Sequence, residues 1–209
     1  MVSARRSSSA SYCFILAWRW PYEVLVKLWL LRHAKVDLDE GLCYGASDLT
    51  AIAHLSLKAA QAAAKELPLK LPLRVSGLKR AQQLALELCR LRSDLQPPVV
   101  DQRLNEMDFG SWELQPWDKI PQTAFDDWMA DFAYYRFGGV ESTQQVIQRV
   151  ADAIEELRNQ AVQEAVWVTH AGVIRAVAYL SVAGSRKITS VGEWPKHAPD
   201  PGGFVVIEC

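Results

Sequence analysis

The stretch VLVKLWLLRHA, Val24 to Ala34, decides the fold. Its apolar run from Val24 to Leu31 is broken only by Lys27. Such a run is too short to cross a bilayer and reads as a strand buried on both faces, which is the habit of parallel sheets. It ends abruptly in Arg32-His33. A charged pair at the mouth of a buried strand is unfavourable unless it meets something there.

A second strand ends the same way. AVWVT at 165–169 is followed by His170-Ala171-Gly172 and an apolar helix. Between the two, helical and extended segments alternate. Ser56–Leu67 is an Ala-rich helix stopped by Pro68, and 73–77 reads as a short strand. Lys79–Arg92 is a helix, 101–121 is irregular, and Thr123–Arg136 is a helix. Ser142 and Gln145 form a capping box for a helix whose stripe is Val146, Val150, Ile154 and Leu157. GGFVVIEC at 202–209 closes the chain as a strand. Alternating strands and helices give an α/β fold: one three-layer domain with a mostly parallel central sheet flanked by helices.

In open α/β sheets, ligands bind beyond the carboxyl ends of the strands. Parallel neighbours would therefore bring His33 and His170 to one rim. Imidazole is a nucleophile that titrates near neutrality. Arg32 beside it suits a phosphoryl group, because a guanidinium binds phosphate oxygens in pairs. Gly172 opens a helix, whose first amides add capacity for an anion.

Composition bounds the rest. The chain has 209 residues, of which half are hydrophobic, enough for one sizeable core. A formal net charge of −1 gives no global attraction to nucleic acid or to an anionic membrane. Cys13, Cys43, Cys89 and Cys209 show no C-x-x-C or zinc spacing, so free thiols, a cytoplasmic setting and no metal are expected. Residues 1–22 are basic and Ser-rich, then briefly apolar, with Arg19 and Pro21 interrupting. They read as a disordered extension to a domain spanning 23–209.

The motifs taken together resemble the histidine phosphatase superfamily, with its phosphoglycerate mutase-like fold. LLRHA matches the family's Arg-His-Gly hallmark except at Ala34. VSGLKRAQQLA is similar to the segment carrying its second phosphate-binding arginine, here Arg80. RLNEMDFGSWE resembles the segment carrying its acid, here Glu106. GGVES, VTHAGVIRA and GLCYGASDLT are similar to three further family segments. The resemblance implies that His33 is the nucleophile and forms a phosphohistidine. It implies that Arg32, Arg80 and His170 surround the phosphoryl group, and that Glu106 serves the leaving oxygen. Tyr44, Gly45 and Trp112 would contact substrate, with Trp112 and Trp117 available to stack a base. No cofactor is implied. The partner is a small phosphorylated substrate, with a homodimer left open.

Three positions depart from the family pattern. Ala34 replaces the hallmark glycine, which matters only if positive φ is needed there. Asp39 stands where mutase-like members often carry Asn, and is expected to point away from phosphate or to touch a polar part of the substrate. Val140 stands where Gly usually precedes Glu-Ser. Only Met107–Val140 separates Glu106 from Glu141, with Lys119 and Arg136 set against six acidic residues. That balance disfavours a bisphosphorylated mutase ligand and favours a phosphomonoesterase. The segments CYGASDLT and LNEMDFGSWE are most similar to α-ribazole phosphatase-type members.

Overall fold

The computed structural model describes residues 25–183 and 186–209. The proposed extension, residues 1–22, lies outside them, as does the start of the first strand at Val24.

Strand β1 is Lys27–Arg32 and β4 is Glu164–Thr169. They pair in parallel with Arg32 opposite Thr169, and the His33 amide donates to the Thr169 carbonyl at 3.0 Å. β2 (Leu73–Val75) lies on the other side of β4, and the two-residue β3 (Val99–Val100) lies beyond it. β5 (Phe204–Glu208) flanks β1 and is the antiparallel member of the sheet. The order is β3-β2-β4-β1-β5.

Side chains alternate across this sheet, as strand geometry requires. Leu28, Leu30, Ala165 and Trp167 enter one core with helices α4 (Thr143–Asn159) and α5 (Ala171–Ala183). Leu31, Val75, Val166 and Val168 enter a second core with α1 (Ala53–Glu66) and α2 (Lys79–Leu91). Two cores on opposite faces make the three layers read from the sequence. The Ser142–Gln145 capping box forms in both directions.

The largest difference from the sequence reading is α3, which spans Gln122–Ala130 and stops well short of Arg136. Asp131 accepts the Tyr134 amide through its side chain, a local bond that competes with the helix ladder. Phe132 and Ala133 then turn into the core beside α4 and α5.

Candidate active site

The register of β1 and β4 places the two histidine rings with centroids 5.0 Å apart. Both are buried, His33 at 2 % exposure and His170 at 0 %. The Nδ1 of His33 lies 2.7 Å from the Ala34 carbonyl, which can only accept, so Nδ1 carries the proton. Arg80 Nε–H points at the other ring nitrogen, Nε2, at 3.2 Å. Both contacts assign the same tautomer, with a lone pair on Nε2. Burial, then the Arg80 charge, holds the imidazole pKa down to about 3, so the ring is neutral at physiological pH.

His170 is fixed by a longer chain. Asn105 Oδ1 accepts from the Gly77 amide at 2.7 Å and from the Ser76 hydroxyl at 2.8 Å. The one hydroxyl proton of Ser76 is thereby used, so His170 Nε2, 2.7 Å away, must donate to Ser76 Oγ. His170 Nδ1 is left buried without a partner. Burial, followed by the charges around His33 and Arg80, keeps this ring well below the ordinary histidine range. Ser76 sits in the strand-end segment that sequence comparison used only to find Arg80. Its function needs the β2–β4 pairing, which no local pattern shows.

Arg80 is fully buried. Its Nη1 donates to the Ser47 carbonyl at 2.7 Å and its Nη2 to the Gly45 carbonyl at 2.5 Å. The Tyr44 ring lies 5.4 Å from its guanidinium carbon. No carboxylate pairs with it among the described residues. Arg32 donates from Nη1 to the Pro199 carbonyl at 2.8 Å and leaves Nε buried and unpartnered.

The loop that holds Arg80 is organised by Glu113. Its carboxylate accepts the amides of Gly45, Ala46, Ser47 and Phe109 at 2.9–3.1 Å, and the Ser47 hydroxyl at 2.5 Å. Burial opposes ionisation there, and the hydroxyl and amides outweigh it, so the carboxyl pKa falls below its ordinary value. Gly45 is packed so tightly that a Cβ would lie 1.9 Å from the Met107 carbonyl. With its N–H on Glu113 and its C=O on Arg80, Gly45 shapes the site and has no backbone group left for a substrate.

Glu106 occupies the mouth of α5. Its carboxylate accepts the Gly172 amide at 3.0 Å and the Met107 amide at 3.1 Å. A Cβ at position 172 would stand 2.2 Å from the Glu106 carboxylate. The Gly172 amide expected on phosphate is thus engaged by Glu106. Glu141 is held by Arg149 at 2.8 and 3.1 Å. Of the three neighbouring carboxylates, Glu106 has no cation bonded to it and accepts two amides, against four amides and a hydroxyl on Glu113.

Beside Glu106 and Gly172 lies a cavity of about 250 Å³. Its aromatic walls are Phe109, Trp128, Phe132 and Trp194, and Arg175 also lines it. Trp112 turns away into a cluster with Phe137, and Trp117 packs against Phe109, Phe125 and Phe137. The tryptophans that line the cavity are therefore Trp128 and Trp194, while Trp112 and Trp117 lie outside its lining. Ala34 has negative φ and is buried, so the missing hallmark glycine leaves the backbone unstrained. Asp39 is exposed, as its charge requires.

The model of the histidine phosphatase superfamily (branch 1) matches residues 28–190. The chain belongs to the histidine phosphatase superfamily. It is 29% identical over 163 residues to the protein named "Putative phosphoserine phosphatase 2" of Hydrogenobacter thermophilus, covering 74% of this chain and 77% of that one. A mycobacterial glucosyl-3-phosphoglycerate phosphatase superposes with TM-score 0.66 at 25% identity, over 78% of this chain and 82% of the other. An Escherichia coli structure titled a "putative alpha-ribazole-5'-P phosphatase" gives TM-score 0.63 at 24% identity, over 88% and 90%. The enzyme class is that of a phosphoric monoester hydrolase. Among the described residues, no helix is long and apolar enough to cross a membrane.

The neutral histidines make stability depend on pH. In the unfolded chain each histidine binds a proton near pH 6.5, whereas folded His33 resists it until about 3. The unfolded state holds more protons in that window, so stability must fall as pH falls. Between pH 7 and 5 the expected loss from His33 is about 2 kcal/mol, and buried His170 acts in the same direction. Urea denaturation at the two pH values measures it, and His33→Ala should remove its share. Equal stability at both would contradict the neutral, buried pair.

Proposed function

We propose that this chain is a metal-independent phosphomonoesterase working through a phosphohistidine at His33. The observation that carries the reading is Arg80: a fully buried guanidinium beside the nucleophile, held only by carbonyls and a ring nitrogen. A buried cation with no carboxylate bonded to it is unfavourable, and Glu106 and Glu113 act on Arg80 only at a distance. A dianionic phosphoryl group is the ligand that relieves it. The unpartnered Arg32 Nε adds one more donor without a protein partner.

The steps follow from these positions. The Nε2 lone pair of His33 attacks phosphorus, and the ester P–O bond breaks. The leaving oxygen takes a proton from Glu106. Arg32 and Arg80 balance the charge on the phosphoryl oxygens, which is the largest requirement in phosphoryl transfer. Water then gives its proton to Glu106 and attacks phosphorus. The P–N bond breaks, its electron pair returns to Nε2, and orthophosphate leaves.

A bisphosphorylated substrate finds little in the 107–140 segment to hold a second phosphate. That segment gives the cavity Met107, Phe109, Trp128 and Phe132. α-Ribazole 5′-phosphate is the specific substrate suggested by sequence likeness, and phosphoserine and glucosyl-3-phosphoglycerate by the relatives' names.

p-Nitrophenyl phosphate tests the class without assuming any of them. Turnover is expected to persist in excess EDTA, because Arg32 and Arg80 supply the positive charge. Loss on chelation, restored by one divalent ion, would replace this mechanism with a metal-assisted one.

A further inference from the structure

The cavity beside Glu106 contains a cation that the phosphoryl chemistry does not use. Arg175 lies on α5, three residues after Gly172 and so on the same face, and both line the cavity. Its Nε is buried with no partner. Its one hydrogen bond is a long 3.4 Å contact from Nη2 to the Lys196 carbonyl. Elsewhere in the fold, Arg74, Arg92, Arg103 and Arg149 each hold a carboxylate. Arg175 has none among the described residues, yet it is close enough to Arg32 for the two charges to repel. The space in front of it is walled by Phe109, Trp128, Phe132 and Trp194, and Glu106 also lines it without bonding to it.

Resting on the phosphatase reading above, we propose that this cavity is the leaving-group subsite and that Arg175 binds a carboxylate carried by the leaving alcohol. The substrates then belong to one chemical class: phosphate esters of hydroxy acids with a flat or apolar body. One planar guanidinium fits one carboxylate through two parallel hydrogen bonds. A second phosphate fits poorly, because Glu106 faces the same cavity and would repel a dianion there. The aromatic walls exclude water and strengthen the pair. A site built this way rejects the uncharged analogue strongly, because binding it would leave the guanidinium desolvated and unpaired.

Matched esters test this. The 3- and 4-carboxyphenyl phosphates are compared with the corresponding carbamoylphenyl phosphates, which are the same shape without the charge. The carbamoyl esters have the slightly better leaving groups, so a carboxylate preference cannot come from leaving ability. At least one carboxylate isomer should be preferred by about 30-fold or more in kcat/KM, mostly through KM. Arg175→Gln should bring that ratio near one, and Arg175→Lys should retain part of it. No preference in the wild type, or an unchanged ratio in Arg175→Gln, overturns the subsite. A binding arm separates this from failure of the phosphatase reading. Calorimetry with 3- and 4-hydroxybenzoate against the hydroxybenzamides, on the His33→Ala protein, needs no turnover. Preferential hydroxybenzoate binding lost in His33→Ala/Arg175→Gln upholds the subsite even if every ester is inert. Equal binding of acid and amide overturns it even if aryl phosphates are turned over.

Discussion

Replacing His33 by Ala is expected to lower phosphatase turnover by at least about 10⁴-fold while leaving the fold in place. The loss is large because the nucleophile has no substitute. His170 is hydrogen-bonded through Nε2 to Ser76, and its chain of partners to Asn105 holds it in that orientation. The fold should survive because the strand end is secured by backbone bonds. The His33 amide donates to Thr169, and the Gly202 amide donates to the His33 carbonyl at 2.9 Å. The protein also loses a neutral imidazole that its surroundings keep from protonating. Acid-quenched wild-type enzyme should be unphosphorylated, since an N-linked phosphate is labile in acid. Base-quenched enzyme should carry one phosphoryl group, absent from the variant. Substantial activity in His33→Ala, in a preparation with native circular dichroism, would remove the phosphohistidine.

Much of this was legible in the chain because the sheet records itself locally. Two apolar runs, each ending in histidine, set His33 and His170 on one rim on condition that the strands are parallel neighbours, and β1 and β4 are. The Ser142–Gln145 cap and the stripe of α4 were equally local. What escaped the sequence was built from distant parts. Glu113 is in sequence only one of six acidic residues in its segment, yet it gathers the 45–47 amides and so positions Arg80. Ser76 gained its function only from the strand beside it. Nearness to Glu106 in sequence makes Trp112 a candidate substrate contact; the structure packs it on Phe137, while Trp128 from α3 and Trp194 from the C-terminal segment line the cavity. The early end of α3 follows from a side-chain bond of Asp131, which helix periodicity does not register.

The assignment of Glu106 makes a sharper demand on kinetics. A nitrophenolate leaves readily without a proton, whereas an alkoxide does not. Proton donation should matter far more for alkyl esters. Glu106→Gln keeps an oxygen to accept the Gly172 amide and keeps the size of the side chain, so the mouth of α5 should remain intact. It removes the transferable proton. Phosphorylation of the enzyme by an alkyl or sugar phosphate should slow by about 10²–10⁴-fold, and by about tenfold or less with p-nitrophenyl phosphate. The comparison belongs in the single-turnover phase. Water attack on the phosphohistidine also uses Glu106, as base, and that step is shared by both esters. In the steady state it would level the two substrates and hide the contrast. The nearby carboxylates cannot easily take over the role. Glu113 is ringed by amides that hold it ionised, and Glu141 is paired with Arg149. Equal slowing of both esters in a single turnover would therefore deny the leaving oxygen any acid from this cluster, and the proton would have to come from solvent.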